Sequence, residues 1–291
     1  MSLAILTAHP DDEAWAFGEL IARSCEASVD VRLLCLTAGE RGVDHTGQGR
    51  RGAALATSRR LELHAGLAAL AQDPPAVAVT WGELPDAALD RHLDDVQRQV
   101  AAWLGETAPA VVATWGVAGG YGHRDHVVCA DAAAAWCAAH GVALWQACLP
   151  PEPARALGRR LARLRRMDLI VPDVERRLDA EQTLGDEDGP VGELWLDVDA
   201  PRKRAALAAH ASQLGDAQPD QFVAPDITAH LLQRERYRLV GQTRDGDRLR
   251  ALVATTPGTT AASAATAGEM MAETNALGID PGTPTSAGGE R

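Results

Sequence analysis

Five short apolar segments alternate with longer amphipathic segments over the first half of this chain. The apolar segments occupy positions 3–8, 29–37, 76–81, 108–115 and 142–149, and helical patterns occupy 53–71, 87–104 and 125–139. A further helix is expected from Asp11 or Asp12 to about Cys25. This alternation predicts an α/β fold, a Rossmann-like open and mostly parallel sheet with helices on both faces. Because crossovers between parallel strands are right-handed, the loops that follow the strands should share one edge of the sheet.

The second half of the chain divides by composition. Positions 150–190 carry a basic helical pattern and then what we interpret as a charged loop, and positions 192–199 and 201–213 return to strand and helix patterns. We predict a single domain over 1–250, with 150–190 as a charged insertion that is either solvated or covers a site. Ala, Thr, Gly, Ser and Pro dominate 257–291, which we predict to be a flexible C-terminal tail.

Composition narrows the class of partner. The formal net charge of -12 disfavours nucleic acid, and no apolar stretch is long enough to predict a membrane span. Five scattered cysteines without CxxC spacing favour a reducing compartment. We therefore expect a cytoplasmic protein that acts on a small molecule, with a homo-oligomer as one option.

Ionisable side chains follow two of the predicted strands. "AHPDDE" places His9, Asp11 and Asp12 after the first strand, and "GHRDH" places His123 and His126 after the fourth. Ligands of open α/β sheets bind at this edge, so the two groups should meet. A set of His9, Asp12 and His126 with an open position suits catalytic zinc, although two His and one carboxylate are also typical of iron oxygenases.

The remaining members of the cluster have their own interpretations. Asp11 would lie beside the metal, free to act as a base, and Asp125 would orient one of the imidazoles. Taken alone, Asp12 or Asp125 would be an ordinary helix cap. The first turn lacks the G-x-G-x-x-G pattern, which argues against a dinucleotide-binding dehydrogenase.

Five further residues keep two interpretations each. Glu13 either supports the cluster or adds favourable charge at a helix N-terminus. Glu40 and Arg41, in "TAGERG", either line a pocket or pair with neighbours. His210, in "AAHASQ", either reaches the site or packs in the core, and packing is the preferred interpretation. Trp15 either stacks on a sugar ring or belongs to the core.

"AHPDDE", "TAGERG", "GHRDH" and "AAHASQ" together resemble the LmbE/PIG-L family of zinc-dependent N-deacetylases over about residues 3–215. The resemblance implies that Zn²⁺ is bound by His9, Asp12 and His126. It implies that Asp11 is the general base and that His123 stabilises the oxyanion. It also implies substrate contacts from Tyr121, Asp86 and Arg59. Arg124 departs from the proline that usually stands at its position, and the 150–190 segment has no counterpart in the pattern.

The resemblance predicts the reaction as well. We expect zinc-dependent hydrolysis of the N-acetyl amide of an N-acetylglucosamine-type amino sugar or a glycosylated natural product, with release of acetate. Two alternatives stay open: an amidase of thiol conjugates, and a sugar-binding module without catalytic activity. The sequence does not identify the acceptor molecule.

Overall fold

A computed structural model describes residues 1–71, 77–163, 169–182, 192–241 and 243–255. The strands are β1 (Ser2–Thr7), β2 (Asp30–Thr37), β3 (Ala78–Leu84), β4 (Val111–Trp115), β5 (Ala143–Ala147), β6 (Gly192–Asp197) and β7 (Arg234–Val240). The helices are α1 (Asp12–Ala16), α2 (Gly18–Glu26), α3 (Ala53–Ala71), α4 (Leu93–Thr107), α5 (Gly119–Gly122), α6 (Arg124–His140), α7 (Pro151–Arg163), α8 (Val174–Gln182), α9 (Ala200–Ala209), α10 (Ala211–Leu214), α11 (Pro225–Leu231) and α12 (Arg244–Thr255).

The strands form one sheet in the order β3-β2-β1-β4-β5-β7-β6. The first five strands of this order are parallel, and β7 pairs antiparallel with both β5 and β6. This confirms the predicted α/β fold with a mostly parallel sheet. The chain winds outward in one direction through β2 and β3, and in the other through β4 and β5. The loops after β1 and β4 therefore lie side by side at the position where such sheets bind ligands.

Alternate side chains of β1 enter two different cores. Leu3 and Ile5 belong to one buried cluster, whereas Ala4 and Leu6 belong to the other. A strand that is buried on both faces needs helices on both sides of the sheet. The structure thus explains why positions 3–8 form a continuous apolar run rather than an alternating one.

Three predicted elements differ in detail from the sequence interpretation. The helix expected to run from Asp11 or Asp12 to Cys25 is interrupted at Phe17, and the helix expected over 201–213 is interrupted at His210. The segment interpreted as a charged loop contains α8. Helical propensity and charge do not reveal these breaks, because they depend on contacts with distant parts of the chain.

A buried ionic group accounts for the break at Phe17. The Glu235 carboxylate accepts the backbone N–H groups of Glu19 and Leu20 at 2.8 and 3.1 Å, so it caps the start of α2. Lys203 Nζ lies 2.5 Å from the same carboxylate, and Tyr237 donates its hydroxyl to it at 2.6 Å. This group holds α1 and α2, and therefore Asp12, against the antiparallel side of the sheet.

The described residues include no helix that is both long and apolar enough to cross a membrane. Residues Met1–Thr256 form one compact unit, and the tail predicted over 257–291 lies outside the described residues. The domain boundaries, the oligomeric state and the cytoplasmic location stay predictions.

Replacing Lys203 with Met should lower the free energy of unfolding by about 3–5 kcal/mol, because Glu235 would keep a buried charge that no cation balances. Urea unfolding at neutral pH measures the loss. Arg204→Met, which breaks the exposed pair of Arg204 and Asp220, is the matched control and should lose far less. Equal losses in the two variants would contradict this account of the buried pair.

Candidate active site

Three donor groups converge where the loops after β1 and β4 meet. His9 Nδ1 lies 3.1 Å from His126 Nε2, His126 Nε2 lies 3.2 Å from Asp12 Oδ1, and Asp12 Oδ2 lies 3.9 Å from His9 Nδ1. All three side chains are buried. Tetrahedral zinc with bonds of about 2.0–2.2 Å separates its ligand atoms by about 3.3–3.6 Å. The three groups therefore fit a small divalent metal ion in both chemistry and spacing.

The same cluster offers two further sets of three possible metal donors. Ligand atoms of His9, His123 and His126 all lie within 4.8 Å of one another, as do those of His9, Asp86 and Asp125. The second of these sets lies on the other side of the His9 ring. His9 thus has one nitrogen toward the His126 side and the other toward two carboxylates.

Hydrogen bonds behind the donors fix their orientation. The Asp12 carboxylate accepts the N–H groups of Ala8 and His9, each at 3.0 Å. His126 Nδ1 lies 3.2 Å from the Gly119 carbonyl, which leaves Nε2 as the free ligand atom, and the His126 ring stacks on Trp115. Outer contacts of this kind select the tautomer of a metal-binding histidine.

Carboxylates also orient His9 from behind. His9 Nε2 lies 3.3 Å from Asp125 Oδ2 and 3.3 Å from Asp86 Oδ1. Burial alone would lower the pKa of His9, but these two carboxylates raise it well above the usual value. Burial alone would raise the pKa of Asp12, but His126 and His9 lower it, so Asp12 is a carboxylate at neutral pH.

Asp125 connects a third loop to the site. Its carboxylate accepts the N–H groups of Ala87 and Leu89 at 2.8 and 3.0 Å. It therefore does not cap its own helix. Instead it holds the segment after β3 against His9.

Asp11 stands at the rim of the cluster in an unusual backbone conformation, with φ of 120°. Its carboxylate accepts Arg59 Nη2 at 2.9 Å. Burial raises the pKa of Asp11 to about 6, although the Arg59 guanidinium opposes the shift. A carboxylate with this pKa can take up a proton near neutral pH.

His123 lies between the cluster and the loop after β4. Its Nδ1 accepts the N–H of Asp125 at 3.3 Å, so the proton of the neutral ring is on Nε2. Burial and the neighbouring imidazoles of His126 and His9 lower the pKa of His123 well below the usual value. In this environment His123 is a neutral hydrogen-bond donor rather than an imidazolium.

A cavity of about 180 Å³ opens beside these groups. Beyond the residues predicted from sequence, Leu169, Gln213 and Val223 line it. Gln213 belongs to the "AAHASQ" segment that the sequence singled out, but nothing in the sequence identified Leu169 or Val223. Trp15 lines the cavity too, yet its ring is buried and its Nε1 donates to Thr228 at 3.0 Å, so it is mainly a core residue.

The three predicted substrate contacts all line this cavity, and the side chains of Arg59 and Asp86 bind other loops of the protein. Arg59 donates to the carbonyls of Gly39 and Pro10 as well as to Asp11. Asp86 accepts the N–H of Arg41 at 2.9 Å and contacts His9. Their role toward a substrate stays a prediction, as does that of the half-buried Tyr121.

Glu40 and Arg41 had the same two interpretations, lining a pocket or pairing with neighbours, and the structure favours a different one for each. Glu40 Oε1 accepts the N–H of Asp86 at 2.9 Å, so Glu40 pairs with a neighbouring loop. Arg41 lines the cavity. Arg124, which stands where the family pattern usually has proline, donates to Asp90 at 3.0 Å.

The charged insertion braces the loop that carries His123. Leu169 accepts the N–H of Arg124 at 2.8 Å, and Val171 donates to Gly122 at 2.9 Å. A β-bridge joins His123 to Ile170. The described part of the insertion therefore covers the site rather than standing free in solvent.

Glu181, at the end of α8, contributes to the same brace. Its Oε1 accepts the N–H of Ala118 at 2.7 Å, whereas its buried Oε2 has no hydrogen-bond partner among the described residues. Burial raises the pKa of Glu181 to about 8, although Ala118 and two arginines oppose the shift.

Comparison with known proteins finds relatives that are named as sugar deacetylases. The PIG-L family, described as GlcNAc-PI de-N-acetylase, matches residues 4–137. A 1D-myo-inositol 2-acetamido-2-deoxy-alpha-D-glucopyranoside deacetylase of Mycolicibacterium smegmatis is 31% identical over 270 residues, which cover 82% of this chain and 89% of that protein. With the enzyme of the same name from Rhodococcus erythropolis, identity is 33% over 43% of this chain and 49% of that protein. The chain thus spans about half the length of the first curated relatives it matches.

Two solved structures show the same fold. The zinc-inhibited form of a teicoplanin deacetylase is 15% identical and has a TM-score of 0.54, with 84% of this chain and 100% of that chain covered. A 4-carboxy-2-hydroxymuconate hydratase from Pseudomonas putida is 16% identical and has a TM-score of 0.55, with 84% and 98% covered. Because these two enzymes have different names and one fold, the fold alone does not specify a reaction.

The pKa of Glu181 predicts how stability depends on pH. The carboxyl ordinarily titrates near 4.5, but in the folded protein it titrates near 8, so folding takes up a proton between these values. The contribution of Glu181 to the free energy of unfolding is fully present below about pH 4.5. It should fall by up to about 1.4 kcal/mol per pH unit as pH rises toward 8, and level off above that.

Glu181→Gln keeps an acceptor for Ala118 and removes the titration. Urea unfolding should therefore find the variant close to the parent at about pH 5 and more stable than the parent at about pH 8. Glu175→Gln, at an exposed position of the same helix, is the control and should follow the parent. Parallel pH profiles for the parent and Glu181→Gln would show that Glu181 is not protonated in the folded protein.

Proposed function

The chain belongs to the PIG-L (LmbE-like) family, and on that premise we propose that it hydrolyses the N-acetyl amide of an N-acetylglucosamine-type amino sugar, with zinc as its metal. The observation that carries the proposal is the convergence of His9, Asp12 and His126 beside Asp11. The 31% identity across most of a named sugar deacetylase supports the choice of substrate class.

Amide hydrolysis needs an activated nucleophile and an activated carbonyl. A divalent metal held by His9, Asp12 and His126 would lower the pKa of water toward 7 and polarise the carbonyl oxygen. Contacts behind the two imidazoles keep these ligands in place. Asp125 and Asp86 contact the far nitrogen of His9, and the Gly119 carbonyl contacts the far nitrogen of His126.

Asp11 is proposed as the general base. Asp11 lines the cavity, and Arg59 fixes the orientation of its carboxylate through a hydrogen bond to Oδ2. The carboxylate can then accept the proton of the attacking water. The raised pKa of Asp11 also allows it to hold that proton until the amine leaves. The leaving amine must depart protonated, and Asp11 returns to it the proton taken from the water.

His123 is proposed as the donor that stabilises the oxyanion. The lowered pKa of His123 favours a neutral ring rather than an imidazolium. A neutral ring with its proton on Nε2 still donates one hydrogen bond. Loss of a single such donor typically costs about 3–4 kcal/mol in the transition state.

The cavity lining supports a sugar as substrate. Its lining includes the aromatic residues Trp15 and Tyr121 together with the polar residues Arg41 and Gln213. Apolar rings with a few placed polar groups are the usual composition of small-molecule sites. A glycosylated natural product would present the same amino sugar, so it belongs to the same proposal.

Purified protein should release acetate from N-acetylglucosaminides, and should lose this activity after chelation and regain it with Zn²⁺. Elemental analysis should find about one metal per chain.

Asp11→Asn should keep its metal and lose about 100-fold or more in kcat, because no base remains. His126→Ala should lose metal as well, because one ligand is gone.

The control is His140→Ala, which removes an exposed histidine whose Nδ1 lies 2.8 Å from the Trp136 carbonyl of its own helix. It should match the parent in metal content and rate. If Asp11→Asn hydrolysed amides at the parental rate, the assigned base would be wrong. If the parent cleaved thiol-conjugate amides but no N-acetyl sugar, the substrate class would be wrong. Recovery of activity with Fe²⁺ but not Zn²⁺ would reject zinc.

A further inference from the structure

His210 and Glu13 form a buried chain behind the proposed base. His210 Nε2 lies 2.6 Å from Glu13 Oε1, and Glu13 Oε2 accepts the backbone N–H of Asp11 at 2.8 Å. Both side chains are 0% exposed, so neither can reach a substrate. This series of contacts therefore ends at the backbone N–H of Asp11 and not in the cavity.

The backbone of Asp11 needs such support. Its φ of 120° lies in a region that residues with a Cβ rarely adopt, and holding one there typically costs energy that nearby contacts must supply. The Asp11 carbonyl accepts the N–H of Trp15 at 2.9 Å, which starts α1. With the carbonyl committed to the helix, the Glu13 contact to the N–H fixes the other side of the residue.

Two other elements of the fold accommodate the contact between His210 and Glu13. His210 lies at the break between α9 and α10, where its carbonyl accepts the N–H groups of Gln213 and Leu214. On α3, a Cβ at Gly66 would lie 3.0 Å from His210 Nε2 and 3.2 Å from Glu13 Oε1. Glycine at this helical position therefore leaves room for both side chains.

We infer that His210 and Glu13 are positioning residues: through the N–H of Asp11 they hold its backbone in the strained conformation that aims the carboxylate into the cavity. This inference rests on the proposed function, since it assigns the purpose of the strain to the base of that reaction. Arg59 fixes the far end of the same residue by its contact with the carboxylate. Asp11 is thus held at its N–H by Glu13, at its carbonyl by Trp15 and at its carboxylate by Arg59.

Kinetics of two variants test the role. Glu13→Ala removes the acceptor for Asp11, and His210→Ala removes its support. Both should lower kcat by about 10- to 100-fold, because small misplacements of a reacting group cost that much, while KM and metal content stay near parental values. Glu13→Gln keeps an oxygen for the Asp11 N–H and should retain most of the rate. His140→Ala is the control for loss of a histidine.

A second measurement does not depend on activity. Glycine tolerates the Asp11 conformation and alanine does not, so Asp11→Gly should melt about 2–4 °C above Asp11→Ala in the parental background. With Glu13→Ala or His210→Ala added, the backbone can relax, and the difference should shrink toward zero. If either Glu13→Ala or His210→Ala fails to fold, the comparison is made in the other variant.

The outcomes separate the two proposals. Parental kcat in both Glu13→Ala and His210→Ala would overturn the positioning role, as would loss of metal in step with loss of rate. An unchanged Tm difference in all backgrounds would overturn it too. If the parent cleaved no N-acetyl sugar, the proposed function would fail, while the Tm comparison would still decide whether His210 and Glu13 hold the Asp11 backbone.

Discussion

The reversal of winding direction between β1 and β4 is the constraint on which the site depends. Neighbouring parallel strands whose chains leave in opposite directions have no helix crossing between their carboxyl ends, so two loops can approach there. His9 and His126 are 117 positions apart in the sequence and 3.1 Å apart at their facing nitrogens. No local preference of either segment produces that contact. It follows from the order of strands in the sheet.

The sequence predicted those parts of the site that follow from this rule. Charged residues placed directly after β1 and β4 had to share an edge, and the described structure brings His9, Asp12, His123, Asp125 and His126 together there. The sequence left two interpretations open for Glu13, support of the cluster or charge at a helix N-terminus, and two for His210, the site or the core. The 2.6 Å contact between them shows that His210 is a core residue that also contacts Glu13, the neighbour of Asp12.

What the sequence could not predict depends on which partner a polar group finds. Arg59 and Asp86 were expected to meet substrate, yet their guanidinium and carboxylate already bind loops of the protein. The break at Phe17 depends on Glu235, which is more than 200 positions away in the chain. The insertion looked solvated because its residues are charged, but Leu169 and Val171 reach the site through their backbones. Backbone hydrogen bonds leave no mark in the choice of side chain.

Buried carboxylates recur as the devices that join these distant segments, and their surroundings decide their charge. Asp12 accepts two backbone N–H groups and faces two imidazoles, and its pKa is lowered. Asp86 accepts one N–H and also faces an imidazole, and its pKa is lowered as well. Glu181 accepts a single N–H, has no contact cation, and its pKa is raised. One hydrogen bond is thus too little to offset the loss of water, whereas N–H donors together with an imidazole are enough. Charge is therefore retained at the cluster where the proposed chemistry needs it, and suppressed at the brace, where a neutral carboxyl group serves as well.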